Sequence, residues 1–483
     1  MLFRSLYLEQ INPDDPSEYR TPDGWQKFET HVETIKVRFG GEKRITMRAT
    51  RHGPVIPDDS AFGIRDLVPS GYVLSLAWTS LYDDDTTFDT LLGIGKAGSV
   101  AGVATATRKF VSPMQNLISA DDTGHIALIL PGRVPLRGPG NDSGGLVPAR
   151  GWEQRYDWQG MIPFGDWASI EDPPSGRIVT ANNKTVPEGY AFELTKEWDN
   201  SYRHDRIDAL LAAQPKESVE GFAAIQRDPV DLYFLELKPL LLAAAPFEGA
   251  GTKAADLLKN WDGAMWAAKP EPLIFSAWVR ALSKRVYADE LGDAFPRMWG
   301  YRPEFILLVL KDTAGEARWC DDKGTPQTED CAAIIRGALT DAMNELSVAY
   351  GSDVTKWHWG DAHKAVQRHQ LFGRMPVLAS FFNRETVMDG GPFTALRADN
   401  QLNADRPYAA DHGAGFRGVY DLANPDNSRF IIAMGESGNV YSPHYDDLLP
   451  VWAKYRYVSI PVTPDAVAKA TVHTFTLEPT REP

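Results

Sequence analysis

Alternation of apolar and polar positions sets in early in the chain. Over residues 31–39 the apolar side chains Ile35, Val37 and Phe39 fall on every second position, which predicts a half-buried strand. Residues 43–50 read as a second strand, and Gly40-Gly41 between them as a hairpin turn. Residues 19–28, YRTPDGWQKF, read as a turn with a short helix or loop, and 72–78 as a further strand. Helical spacing follows at 86–94 and 99–110, with Ser99 placed to cap the second helix. Residues 115–120 and 125–130 alternate on either side of Asp121-Asp122-Thr123-Gly124, a hairpin signal. Residues 131–175 are rich in Gly, Pro and Trp and are predicted as ordered loop. A strand is predicted over 177–180, stopping at Asn182-Asn183.

From Arg203 the texture changes. Helical patterns occupy 204–213, 218–227, 230–245, 252–261, 271–290 and 328–350. Ser218 is a candidate cap, and Ile334, Ile335, Leu339 and Met343 share one face. Strands return at 415–421, 428–434, 455–460 and 471–478. Strands, then helices, then strands predict an α+β protein with a layered αββα core. Three parts are expected: 1–203 as the first part of the core with the asparagine pair, 204–405 as a mainly helical midsection, and 406–483 as C-terminal strands returning to the core.

Charge and composition narrow the partners. A formal net charge of -15 argues against nucleic acid and against an anionic membrane surface. No run of eighteen apolar residues is present, so no membrane-spanning helix is expected. The opening MLFRSLYLEQ lacks the layout of an export signal and reads like the middle of a strand. The two cysteines, Cys320 and Cys331, fit no zinc spacing. They read as a disulfide closing a short polar loop, worth roughly 3 kcal/mol and favouring an oxidising compartment; the alternative is a pair of free thiols.

Candidate chemistry centres on Asn182-Asn183 and on Arg203. A side-chain amide at a strand end can donate to a developing oxyanion; the plain alternative is a turn, since asparagine tolerates left-handed backbone. Other constellations are set aside. Asn141-Asp142-Ser143-Gly144-Gly145 lacks the companion histidine loop of a serine protease, and Gly435-Glu436-Ser437-Gly438 is one residue short of a hydrolase elbow. His358, His363 and His369 do not have zinc-protease spacing. Asp83-Asp84-Asp85 and Asp446-Asp447 read as solvated charges. An oxyanion donor and an arginine are thus present without an internal nucleophile, as in enzymes whose nucleophile is the N-terminal residue and whose base is its own amine.

With those residues in view, the chain resembles the β chain of the penicillin acylase (penicillin amidase) family of N-terminal nucleophile hydrolases. The resemblance rests on TPDGW (21–25), TRHGPVI (50–56), LAWT (76–79), QNLISADDTGHI (115–126), PGRVPLR (131–137), YDWQGMIPF (156–164), PSGRIVTANN (174–183), YRHDRI (202–207), GFRGVYDL (415–422), GESGNVYSPHYDD (435–447) and LPVWAKYRYV (449–458), in that order. It implies hydrolysis of a linear amide to a carboxylic acid through an acyl-enzyme on an N-terminal Ser. Substrate classes would be β-lactam side-chain amides and N-acyl homoserine lactones. Asn182 matches the family's oxyanion-hole asparagine, and Arg203 the arginine near its active site.

The resemblance also implies an α chain as heterodimer partner and a periplasmic or secreted location, which the Cys320–Cys331 pair suits. No cofactor is required for the chemistry; structural calcium is left open, with no ligands assigned. The chain departs from the pattern at its start. The family's β chain begins with Ser well upstream of the TPDGW-like segment. The acidic pair expected near positions 2–5 is replaced by Leu2, Phe3, Arg4 and Ser5, and Ser5, followed by Leu6, does not match the nucleophile. The expectation is an αββα core incomplete at its N-terminus, inactive alone, whose nucleophile and α chain lie outside this sequence. The alternative is a truncated, catalytically inactive acylase-like binding protein.

Overall fold

The computed structural model describes residues 4–57 and 68–479. Along the chain they form two compact units that divide between Asp199 and Asn200.

The first unit is built from strands. Arg4–Gln10 lies between Tyr72–Trp78, antiparallel with Tyr7 opposite Ser75, and Ala149–Arg150, parallel with Tyr7 opposite Ala149. Its alternation runs against hydrophobicity: Ser5, Tyr7 and Glu9 are the buried positions, while Leu6 and Leu8 are only half-buried. Residues 19–28 pair as the strands Glu18–Thr21 and Gly24–Lys27, not as a helix or loop, because Pro22-Asp23-Gly24 supplies a turn with Gly24 at positive φ. The predicted hairpin forms as Glu29–Val37 with Gly41–Thr50. Every residue of Glu29–Val37 is exposed, however, and Phe39 at the tip is 97% exposed. Alternation was therefore a correct sign of strand but not of burial.

The Asp121–Gly124 turn joins Leu117–Ala120 to Ile126–Ile129, and Ser169–Glu171 adds a third strand on the far side of Ile126–Ile129. Ser99 caps Val100–Ala106 by accepting from the Gly102 N–H; the rest of that predicted helix continues as a 3-10 turn over Thr107–Lys109. Residues 177–180 form no strand among the described residues.

The second unit contains the longer helices. Glu271–Leu291 is buried nearly all round and packs against Cys331–Tyr350 in a core that includes Phe275, Trp278, Leu282, Leu339 and Leu346. Ser218 and Asp330 cap their helices through backbone N–H groups. Pro303–Leu310, unforeseen from the sequence, is a further helix with proline at its first turn. Cys320 and Cys331 are joined in a disulfide, pinning the segment Thr313–Cys320 to the start of the Cys331–Tyr350 helix. His363 lies within the core, its Nδ1 facing the Tyr408 carbonyl at 2.7 Å and its ring stacked on Trp359. The chain closes with the sheet Phe416–Val419, Arg429–Ile432 and Val458–Ser459. The predicted strand at 455–460 is thus two residues long. Residues 471–478 form no strand, and Pro464–Ala470 is a helix.

Asp231 caps the helix Leu232–Leu242 from a fully buried position, accepting from the Phe234 N–H at 2.8 Å. Burial pushes its carboxyl up to about 7, against the lowering effect of backbone N–H donors. A raised folded-state value means that stability present below pH 4 is lost as pH rises towards 7 and stays lost above it. The loss amounts to up to roughly 4 kcal/mol. Asp231→Asn keeps a cap acceptor but cannot ionise. The Tm difference between variant and parent is expected to move in the variant's favour from pH 4 to 7 and then level off. A difference that stays flat with pH would contradict this account.

Candidate active site

The asparagine pair sits in the first unit on irregular chain held from both sides. Asn116, from the QNLISADDTGHI segment, donates from Nδ2 to Thr180 Oγ1 at 2.8 Å and accepts from Thr185 Oγ1 at 3.5 Å. Between those anchors the two amides divide. Asn183 is buried; its Oδ1 accepts from the Ala181 N–H at 3.0 Å and its Nδ2 donates to the Lys184 carbonyl at 3.2 Å. Asn182 is exposed and adopts left-handed backbone, φ 68°, which a residue with a short amide side chain tolerates and a β-branched residue does not. Its carbonyl accepts from the Asp199 N–H at 3.1 Å, which ties the turn to the end of the unit. The pair forms a turn: Asn182 takes the left-handed backbone, and the Asn183 amide is used within the turn itself.

A second polar constellation in the same unit was not anticipated from the sequence. Glu9 is fully buried, and its Oε1 accepts from Thr50 Oγ1 at 2.9 Å and Ser75 Oγ at 2.8 Å and faces His52 Nδ1 at 2.8 Å. His52 Nε2 faces Asp157 Oδ1 at 3.0 Å, and Arg51 donates to both Asp157 oxygens at 2.7 Å. Burial raises the Asp157 carboxyl, but the hydrogen bonds from Arg51 and His52 prevail and hold it below the usual range. Tyr7 stacks face to face on His52 at 3.6 Å and donates to the Tyr156 carbonyl.

Two glycines make room for this arrangement. A Cβ on Gly151 would lie 2.0 Å from Glu9 Oε2, and one on Gly53 would lie 2.3 Å from the Leu76 carbonyl oxygen. With both ring nitrogens engaged by carboxylates and Ser75 donating to Glu9, the histidine has no position left for a nucleophile. The network is a structural tie and not a catalytic triad. Its charged members come from LYLEQ, TRHGPVI and YDWQGMIPF, and Ser75 from the strand Tyr72–Trp78. The signal was a charged residue in each of three otherwise apolar segments.

Arg203 lies in the second unit, in the first turn of the helix Tyr202–Ala212, and is buried. Arg206 in the same helix makes a two-pronged pair with Asp228 at 2.7 and 2.8 Å, and Tyr202 donates to Glu236. Of the positions where the resemblance expects acidic residues for calcium, Leu2 and Phe3 lie outside the described residues. At the other two, Arg137 Nη2 donates to the Arg4 carbonyl at 3.2 Å and to Ser5 Oγ at 3.1 Å, so a guanidinium already supplies positive charge there. Among the described residues no three His, Cys, Asp or Glu side chains gather as a metal site would require.

Comparison with known proteins places this geometry in context. The profile of the family described as Penicillin amidase matches residues 4–469. Penicillin acylase 2 proenzyme of Pseudomonas sp. (strain SE83) is 29% identical over 483 residues, covering 99% of this chain and 60% of its own length. Acyl-homoserine lactone acylase QuiP of Pseudomonas syringae pv. syringae (strain B728a) is 28% identical over 488 residues, covering 95% of this chain and 57% of its own. The chain thus spans less than two thirds of the length of these relatives. A thermostable penicillin G acylase from Alcaligenes faecalis matches the structure with a TM-score of 0.74 at 20% identity, over the whole of this chain and 87% of that one. The fold is therefore the α+β fold of an N-terminal nucleophile hydrolase, as expected. With the profile matched over nearly its whole length, the chain belongs to the penicillin amidase family.

Proposed function

We propose that this chain is most of the β chain of a linear-amide hydrolase that releases a carboxylic acid from an acylated small-molecule amide. The observation that carries the reading is the position and backbone of the asparagine pair. Asn183 is turned back to its own backbone, and the exposed Asn182 is held on left-handed chain by bonds on both sides. The Asn182 side-chain amide is assigned to donate to the oxyanion of a tetrahedral intermediate, a role that a preorganised amide suits. Arg203 is assigned the orienting or polarising role of the family's arginine, through its place in YRHDRI. The N-terminal Ser nucleophile and the α chain are taken to lie outside this sequence, and no cofactor takes part. The substrate class draws support from the names of the relatives, a penicillin acylase and an acyl-homoserine lactone acylase. A periplasmic or secreted location draws support from the Cys320–Cys331 disulfide.

The test is to express the gene with its natural upstream coding sequence. The product is then incubated with an N-acyl homoserine lactone and with a chromogenic phenylacetyl amide. Release of the carboxylic acid, with covalent labelling by a serine-directed acylating probe, is the expected result. If neither release nor labelling occurs, the reading is overturned in favour of a non-catalytic amide-binding protein.

A further inference from the structure

A cleft of about 610 Å³ opens in the second unit where the helix Val219–Ile225 meets the C-terminal sheet. That size falls in the range of small-ligand sites. Three guanidiniums line it: Arg227 just past the helix, Arg429 on the strand Arg429–Ile432, and Arg456 before the strand Val458–Ser459. Two carboxylates also line it, and both are engaged. Glu220 accepts from Arg429 at 2.7 Å, and Asp426 accepts from the Val462 and Thr463 N–H groups and from Thr463 Oγ1. Arg227 and Arg456 make no ion pair or side-chain hydrogen bond among the described residues.

The walls are fixed. Gln226, beside Arg227, donates to the Gly418 carbonyl at 2.8 Å and accepts from Tyr457 Oη at 2.7 Å. Tyr455, beside Arg456, is held by both Asp389 Oδ2 and the Asp389 N–H at 3.0 Å. Beneath the cleft a fourth guanidinium, the buried Arg417, lies over the rings of Trp452 and Tyr455. Burial raises the Tyr457 phenol above its ordinary value, against the lowering influence of the nearby Arg417, Arg429 and Arg227.

We propose that this cleft is a binding site for a small multivalent anion bearing phosphate or carboxylate groups, gripped between Arg227 and Arg456 with Arg429 alongside. Guanidiniums suit such groups because their paired N–H donors match two oxygens of one anion. The rest of the molecule does not supply the attraction. At a net charge of -15, the chain as a whole repels anions, so capture there has to be local.

Titration calorimetry of the intact chain at low ionic strength tests the site, with inorganic pyrophosphate and citrate as separate probes. Saturable binding of at least one probe is expected, weakened tenfold or more in the Arg227→Gln/Arg456→Gln double variant. It should be unchanged in an Arg318→Gln/Lys356→Gln control, which removes the same charge at exposed positions elsewhere in the unit. The tighter probe identifies phosphate or carboxylate as the group recognised. Absence of saturable binding by both probes, or binding that the double variant retains, overturns the proposal. Both altered positions are exposed, and circular dichroism and Tm matching the parent confirm that the comparison is between folded proteins.

Discussion

Asn182→Ala, introduced into the hydrolase expressed with its upstream sequence, is expected to lower kcat by about 10²–10³ while KM for the amide changes far less. The reasoning is that an oxyanion donor contributes only when charge has moved onto the carbonyl oxygen. Its loss is therefore felt in the transition state and not in substrate binding. A loss of turn geometry has to be separated from a loss of the donor, because Asn182 also holds φ 68°. Asn182→Asp makes the separation. Aspartate tolerates the same left-handed backbone and keeps the side-chain shape, but it presents acceptor oxygens and negative charge where a donor is needed. Both variants should be equally impaired in the chemical step, with Asn182→Asp close to the parent in Tm and Asn182→Ala lower because alanine adopts φ 68° at a cost. A kcat within a few-fold of the parent for either would remove Asn182 from the mechanism.

Glu9→Ala is expected to be among the most destabilising single changes in the first unit, by about 3–5 kcal/mol. That corresponds to a fall of roughly 10 °C in Tm. The carboxylate is the shared acceptor of Thr50 and Ser75 and faces His52, and the fully buried Ser75 has no water to fall back on once it is gone. The His52–Asp157 contact would then be left with the imidazole held from one side only. Glu9→Gln keeps an acceptor and the volume and should cost less than half as much. Thermal unfolding of the two variants beside the parent checks the order. If Glu9→Ala unfolds within a degree or two of the parent, the network is ornamental.

What the sequence made legible was local. The hairpin around Asp121–Gly124 and the caps at Ser99 and Ser218 rest on side chains a few residues from the backbone they serve, so period and turn chemistry suffice to find them. The ordered segments from TPDGW to LPVWAKYRYV carried the family because each is a short local pattern. Burial was not legible. Ile35, Val37 and Phe39 alternate as a core strand would, yet alternation records only that one face differs from the other, not that anything covers it. Residues 177–180 have a strand's composition yet form no strand among the described residues. The Glu9 network was invisible for the opposite reason. On its strand the acidic and aromatic residues face inwards and the leucines do not, and the partners that make this tolerable are contributed by distant segments.

That distance has a consequence for the order in which the chain can fold. The Tyr7 hydroxyl bonds to a carbonyl 149 residues later, and the acceptor facing His52 Nε2 arrives 105 residues after it. During synthesis Glu9 is therefore exposed long before Asp157 exists, and the first strand has no completed site until the ribosome has passed the Ala149–Arg150 strand and Asp157 beyond it. Local hairpins such as Glu29–Val37 with Gly41–Thr50 can close in microseconds on their own. Closing the long loop around Arg4–Gln10 needs several late segments at once and carries the entropy of that loop. The strand Arg4–Gln10 can pair with Tyr72–Trp78 early, but its buried charge network is complete only once Asp157 has been made.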